Sequence, residues 1–280
     1  MSAAARPPEG GARVPLGGTR EAEGAPVNAA FFEARGLGLS FGGVKAVRDV
    51  SFNVEQGEVL AIIGPNGAGK TSLLNLATRV FDPSKGSVHF EGRDITRVPR
   101  HDIVRHGIAR TFQNIELFEG ATVLENLLLG RHRAGHGNLL GQMLNLPSVQ
   151  RAEAQTRARV EDVVRLLDLA PVRNRPVAEL PYGVRKVVEL ARALASEPRL
   201  LLLDEPASGL NPDETRQLAC WIADIQAELG ITVVMVEHDM SLVSSVAQRV
   251  VVMDQGSVLM IGKPAEVQSD ARVISAYLGA

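Results

Sequence analysis

The sequence predicts an α/β protein in which a buried parallel sheet carries the core, with a small antiparallel β lobe ahead of it and a helical subdomain between its strands. Three observations predict this. Short β-rich pieces at 32–39, 46–54 and 87–90 are separated by turn signals at Gly42-Gly43 and Asp82-Pro83. Unbroken apolar runs at 59–63, 200–203, 231–236 and 250–253, mostly separated by helical patterns, read as strands covered on both faces. A long, mostly helical stretch, roughly 113–180, falls between the first two of those runs.

Composition sets the outer limits. The chain has 280 residues, 45% of them hydrophobic, which is enough for a sizeable core. Lys plus Arg total 30 against 32 Asp plus Glu, so no basic footprint points to nucleic acid. No apolar run reaches the ~18 residues of a membrane span. The single cysteine, Cys220, excludes an internal disulfide framework and fits a reducing compartment. Residues 1–30 hold nine Gly or Pro, among them Gly10, Gly11, Pro7 and Pro8, and read as a disordered N-terminal tail. That tail has no apolar central run and carries Glu9, Glu21 and Glu23, unlike a signal or transit peptide. Order is expected over 31–280.

The strongest motif lies directly after the run Val59–Ile63 and before a helical pattern at Thr71–Thr78. Gly64-Pro65-Asn66-Gly67-Ala68-Gly69-Lys70-Thr71 matches G-x-x-x-x-G-K-[ST], and Ser72 follows. Glycines let backbone N–H groups turn inward around a phosphate, and the helix N-terminus adds partial positive charge. Lys70 supplies a point charge for the β- and γ-phosphates, and the Thr71 hydroxyl is a Mg²⁺ ligand. Only five of the 30 basic residues are lysine, so lysine at this place runs against the habit of the chain. The position that a dinucleotide fingerprint reserves for a third glycine is Ser72, which disfavours NAD-type binding. The core is therefore expected to be a P-loop nucleotide-binding core that takes ATP with Mg²⁺.

Two further strand ends carry acids. Leu200-Leu201-Leu202-Leu203 runs into Asp204-Glu205-Pro206, with Asp204 suited to the Mg²⁺ shell and Glu205 to polarising an attacking water. The run Ile231–Val236 ends in Glu237-His238-Asp239, where His238 is placed to contact the γ-phosphate.

The order of the phosphate loop, Gln113, Leu180–Gly183, Leu200–Glu205 and His238 resembles the ATP-binding-cassette (ABC) ATPases over about 31–280, with a helical subdomain over about 113–183 and a polar extension within it at about 131–160. The resemblance implies that Phe41 stacks on adenine. It implies that Gln113, in Thr111-Phe112-Gln113-Asn114, touches Mg²⁺ or its water and senses a membrane partner, and that His238 is the switch histidine. It also implies that Tyr182 and Gly183 cap the ATP held by a second ATPase subunit, of the same or a related chain. Transmembrane permease subunits, indirectly a solute-binding protein, and a peripheral place on the cytoplasmic face of the inner membrane are implied by it as well.

The family signature Leu-Ser-Gly-Gly-Gln is here Leu180-Pro181-Tyr182-Gly183-Val184. Pro181 offers neither a hydroxyl nor an N–H, removing one charge-assisted hydrogen bond of about 1.5–3 kcal/mol. Asn211, in Ser208-Gly209-Leu210-Asn211, stands where Asp is usual. The x-Tyr-Gly signature, 120–131 and 272–279 resemble the ATPases of branched-chain amino-acid importers. Two alternatives stay open: a cassette that binds ATP with little hydrolysis and serves a structural or regulatory role, and the ATPase of a lipopolysaccharide-type exporter. Phe112, Leu117 and Phe118 form either ordinary core or a pocket for the membrane subunits.

Overall fold

A computed structural model describes residues 30–111, 115–132 and 147–278. Residues 1–29 of the tail predicted over 1–30, Phe112–Asn114 and the middle of the polar extension, 133–146, lie outside the described residues.

The antiparallel lobe forms as its alternation requires. Strands β1 (Phe32–Phe41) and β2 (Val44–Val54) pair through the Gly42-Gly43 turn; β4 (Lys85–Phe90) pairs on the other side of β1, and β5 (Arg93–Asp94) closes the order β2-β1-β4-β5. In β2 the buried Val50, Phe52 and Val54 alternate with exposed Ser51 and Asn53, one face to core and one to water.

The main sheet has six strands in the order β10-β9-β3-β8-β7-β6. Its parallel part comprises β9 (Arg249–Asp254), β3 (Val59–Ile63), β8 (Thr232–Val236), β7 (Leu200–Asp204) and β6 (Ile108–Arg110); β10 (Ser257–Gly262) adds an antiparallel edge. Every residue of β3, β7 and β8 is buried. The two-residue period of a strand sends alternate side chains into separate cores. Val59, Ala61, Ile63, Leu201 and Leu203 pack on one side, whereas Leu60, Ile62, Leu200 and Leu202 pack on the other, with the antiparallel lobe.

Helix α1 (Lys70–Ala77) contributes Leu73, Leu74 and Leu76 to the lobe side. The opposite side receives the helical segment: α2 (Val123–His132), α3 (Pro147–Leu166) and α4 (Tyr182–Leu194). Val123, Leu127, Val160, Val164, Leu190 and Leu194 are its buried contacts. Thr122 and Glu125 open α2 reciprocally: the Glu125 N–H donates to Thr122 Oγ1 (3.2 Å), and the Thr122 N–H to Glu125 Oε2 (2.8 Å). Helix α5 (Pro212–Leu229) covers the same side with Leu218, Ile222 and Ile225, and the chain finishes through α6 (Met240–Val246), α7 (Pro264–Ser269) and α8 (Ala271–Leu278).

Three strands were not expected from the sequence. Strands β6 and β5 have only three and two residues, too few to show a period. Strand β10 is half-buried along most of its length, so no alternation marks it. Helix α4 opens at Tyr182, directly after Pro181, which suits an N-terminal boundary.

Asn211 caps α5. Its Oδ1 accepts from the N–H groups of Asp213 (2.9 Å) and Glu214 (3.0 Å), while Glu214 Oε2 accepts from the Asn211 N–H (2.9 Å). Asn and Asp are nearly equal in this role, which makes the departure at 211 neutral for folding. Asn211→Ala should cost about 1 kcal/mol and lower the melting temperature by about 2–4 °C, and Asn211→Asp should leave it unchanged, in thermal denaturation.

Candidate nucleotide site

Register places three strand ends side by side. Ile62 of β3 aligns with Val236 of β8, which aligns with Asp204 of β7, so the loop after β3, the acids after β7 and the Glu237-His238 pair after β8 all leave one edge of the sheet. Ligands of parallel sheets bind at this carboxyl edge. At about 4.8 Å per strand, Asp204 lies roughly 10 Å across the sheet from the strand that feeds the loop.

The loop is backbone pressed against backbone. Gly64 has φ +150°, and a Cβ on it would lie 2.1 Å from the carbonyl oxygen of Met253 on β9. Gly69, at φ +96°, is the N-cap of α1, and a Cβ there would lie 2.4 Å from the Ala46 oxygen of β2. Only glycine fits either place. Ala68 is buried between them, whereas Asn66 and Gly67 are exposed and Pro65, Thr71 and Ser72 half-buried. Lys70 folds back over the loop: its Nζ donates to the carbonyls of Gly64 (2.7 Å) and Pro65 (3.0 Å). Burial pulls the ammonium below the ordinary lysine range, and the charges of Glu205 and Asp204 work against that shift.

Asp204 is almost fully buried. Its Oδ2 accepts from Arg110 Nη2 at 2.7 Å, its N–H donates to Thr111 Oγ1 at 3.4 Å, and its Oδ1 has no hydrogen-bond partner among the described residues. Glu205 takes φ +48°, a costly conformation for a residue with a side chain. Its backbone is held on both sides: the N–H donates to the Val236 carbonyl (2.9 Å), and the carbonyl accepts from Lys186 Nζ (3.1 Å). His238 follows β8 with its side chain exposed.

Glu237 ties these ends together. It has no exposed surface; Oε1 accepts from the N–H of Ala207 (2.8 Å), and Oε2 from those of His238 (2.9 Å) and Asp239 (3.2 Å). One carboxylate thus fixes the turn after Glu205 and the turn carrying His238. Burial raises its carboxyl above the usual range although three N–H groups oppose that shift.

Phe41 sits at the end of β1, 49% exposed, its ring edge-on to Phe81 at 5.2 Å between centroids. It is a surface ring, not core. Tyr182 and Gly183 open α4: the Tyr182 ring is exposed beside Gly209, and Gly183 lies against the Glu214 carboxylate. Gln113 lies outside the described residues. Of the flanking trio, Phe118 is 57% exposed and Leu117 half-buried against the core.

Four residues at this edge were not singled out from sequence: Arg110, Lys186, Glu237 and Tyr277, whose phenol hydrogen-bonds the Gly64 backbone. Glu237 and Arg110 carry a usable signal, since each is a charged residue in or beside a strand that reads as buried.

Because the folded state raises the Glu237 carboxyl pKa, taking up a proton favours the folded chain. The stability this contributes is fully present below the unfolded pKa and is lost as pH rises through the folded value. Relative to Glu237→Gln, the native protein should therefore gain melting temperature between pH 7.5 and pH 5. A gap between the two that does not change with pH would contradict this.

Comparison with known proteins agrees with the geometry. The ABC transporter family profile matches residues 47–208, and the profile of the branched-chain amino acid ATP-binding cassette transporters matches 257–280. The high-affinity branched-chain amino acid transport ATP-binding protein BraF of Pseudomonas aeruginosa is 40% identical over 247 residues, 88% of this chain and 97% of that protein. LivG of Salmonella typhimurium, of the same description, is 38% identical over 244 residues, 87% and 96% of the two chains. The crystal structure of a nucleotide-free ATP-binding cassette from an ABC transporter superposes with a TM-score of 0.79 at 31% identity, covering 90% of this chain and all of the other. The chain belongs to the ABC transporter family as one of its ATP-binding cassettes, a nucleotide-binding ATP hydrolase.

Proposed function

We propose that the chain is the ATP-hydrolysing subunit of an importer of branched-chain or related amino acids, working as a pair of cassettes bound to transmembrane permease subunits at the cytoplasmic face of the membrane. The observation that carries the ATPase part is the register placing the Gly64–Ser72 loop, the Asp204-Glu205 acids and the Glu237-His238 turn on one sheet edge. The solute class rests on the transport for which BraF and LivG are named, and both align over nearly all of their length. No helix among the described residues is long and apolar enough to cross a membrane, which suits a peripheral subunit.

The residues fit a nucleotide with Mg²⁺. A buried carboxylate oxygen without a partner, Asp204 Oδ1, is the kind of group a metal shell satisfies. Thr71, one residue into α1, and Gln113 complete the proposed ligand set. When bound, Mg²⁺ neutralises charge on the phosphates. The chain does the rest. Loop N–H groups from Gly64 to Ser72 and the N-terminus of α1 receive the β-phosphate, Lys70 moves its ammonium from two loop carbonyls to phosphate oxygens, and Phe41 offers its ring to adenine. Glu205, aimed by its pinned backbone, accepts hydrogen bonds from the attacking water and orients it in line. His238 contacts the γ-phosphate from the neighbouring strand end. Tyr182 and Gly183, on the exposed start of α4, cap the nucleotide of the second cassette.

The membrane side is served by a groove of about 970 Å³ between the sheet edge at β6 and the helical segment, lined by Val80, Ile103, Leu117, Phe118, Leu129 and Arg192. Exposed apolar surface of this kind marks a protein-binding site. The helical segment with α2, α3 and α4 then acts as the lobe that grips the permease.

Glu205→Gln should retain ATP binding and lose most phosphate release, whereas Lys70→Ala should weaken both. Near-native turnover in Glu205→Gln would remove Glu205 from this role. Phe118→Asp, at an exposed position, should change stability by no more than about 0.5 kcal/mol and yet fail to co-purify with the permease subunits. A folded Phe118→Asp that still co-purifies and supports uptake would refute the groove as the docking surface.

A further inference from the structure

Arg110 is the cation of a nearly dry ion pair. Its side chain is 7% exposed and that of Asp204 1%. One guanidinium bridges two elements: Nη2 donates to Asp204 Oδ2 on β7 (2.7 Å), and Nη1 donates to Asn75 Oδ1 (2.6 Å) on α1, the helix that begins at Lys70 and Thr71, and to Oγ1 of its C-cap, Thr78 (3.1 Å). The Asp204 backbone is held from the same side, because the residue after Arg110, Thr111, accepts the Asp204 N–H on its Oγ1 at 3.4 Å. The result is asymmetric: Oδ2 is committed, and Oδ1 is buried without a partner among the described residues.

Isolated ion pairs in a protein interior are weak sources of stability, since desolvation offsets most of their attraction. Geometry is what such a pair supplies well. A planar fork reaching a carboxylate on one side and two oxygens on the other fixes rotamer and distance together, and an ammonium on a flexible stem does not.

We propose that Arg110 is a positioning residue for the metal site: by holding Asp204 Oδ2 and tying it to α1, it presents Oδ1 at a fixed place relative to Thr71. This rests on the reading of Asp204 and Thr71 as Mg²⁺ ligands. Groups that orient metal ligands from behind typically change metal affinity by about 10–100-fold when replaced. Arg110 thereby sets how strongly Mg²⁺ reinforces nucleotide binding, while the phosphate loop alone sets binding without metal.

The test is calorimetric titration of the full chain with a non-hydrolysable ATP analogue, in excess Mg²⁺ and in EDTA, with melting temperatures recorded alongside. The native protein should bind more tightly with Mg²⁺. In Arg110→Lys the EDTA affinity should stay within about twofold of native, and the Mg²⁺-dependent gain should shrink by about tenfold. Asn75→Ala, which removes one anchor of the guanidinium and keeps the charge, should shrink the gain in the same direction by less; it decides the matter if Arg110→Lys does not fold. An unchanged gain in the folded variant, or an equal loss with and without Mg²⁺, would overturn the positioning role. Absence of any Mg²⁺ gain in the native protein would instead overturn the metal reading beneath it.

Discussion

Parallel pairing of β3, β8 and β7 is the constraint on which the site depends. Apart from Thr232 and Asp204 at their ends, these strands carry only apolar side chains; they are buried on both faces, and their apolar residues divide by parity between two cores. Once that division is satisfied, their carboxyl ends fall at one level. A slip of one residue would exchange the faces of every side chain in the strand, so the register is strongly specified. The chemistry therefore rests on an apolar decision made within the sheet.

The turns that leave these strands are held by polar groups of unusual burial. Glu237 draws three N–H groups to one carboxylate and so joins the turns carrying Glu205 and His238. Lys186, on the helix opened by Tyr182 and Gly183, reaches the Glu205 carbonyl, which links the proposed partner-facing signature to the proposed water-orienting residue of the same chain. Burial lowers the Lys186 pKa, with the charges of Glu189, Glu237, Glu205 and Asp204 opposing it. Arg110 both pairs with Asp204 and lines the groove beneath the helical segment. The proposed docking groove and the proposed metal site thus meet on one short strand.

Much of this was legible in the sequence where a signal had length or a fixed spacing. The run at 59–63 is a strand with the same ends, and Gly64–Thr71 needs its glycines where the backbone of β9 and β2 comes close. Strands β5, β6 and β10 were not legible, being too short or too evenly half-buried to show a period. The supporting charges were missed for another reason. Arg110 and Glu237 have partners 94 and 30 residues away, and a pairing of that kind has no sequence period. Asn211 stands where Asp is usual in the family, and its side chain is occupied with capping α5.

The most direct measurement is a crystal structure of the chain with an ATP analogue and Mg²⁺. The account predicts phosphates cradled by 64–72, Lys70 Nζ moved from the Gly64 and Pro65 carbonyls to phosphate oxygens, and the metal within reach of Thr71 and Asp204 Oδ1. Nucleotide bound elsewhere, or bound in the loop with Lys70 still on those two carbonyls and Asp204 remote from the metal, would contradict it.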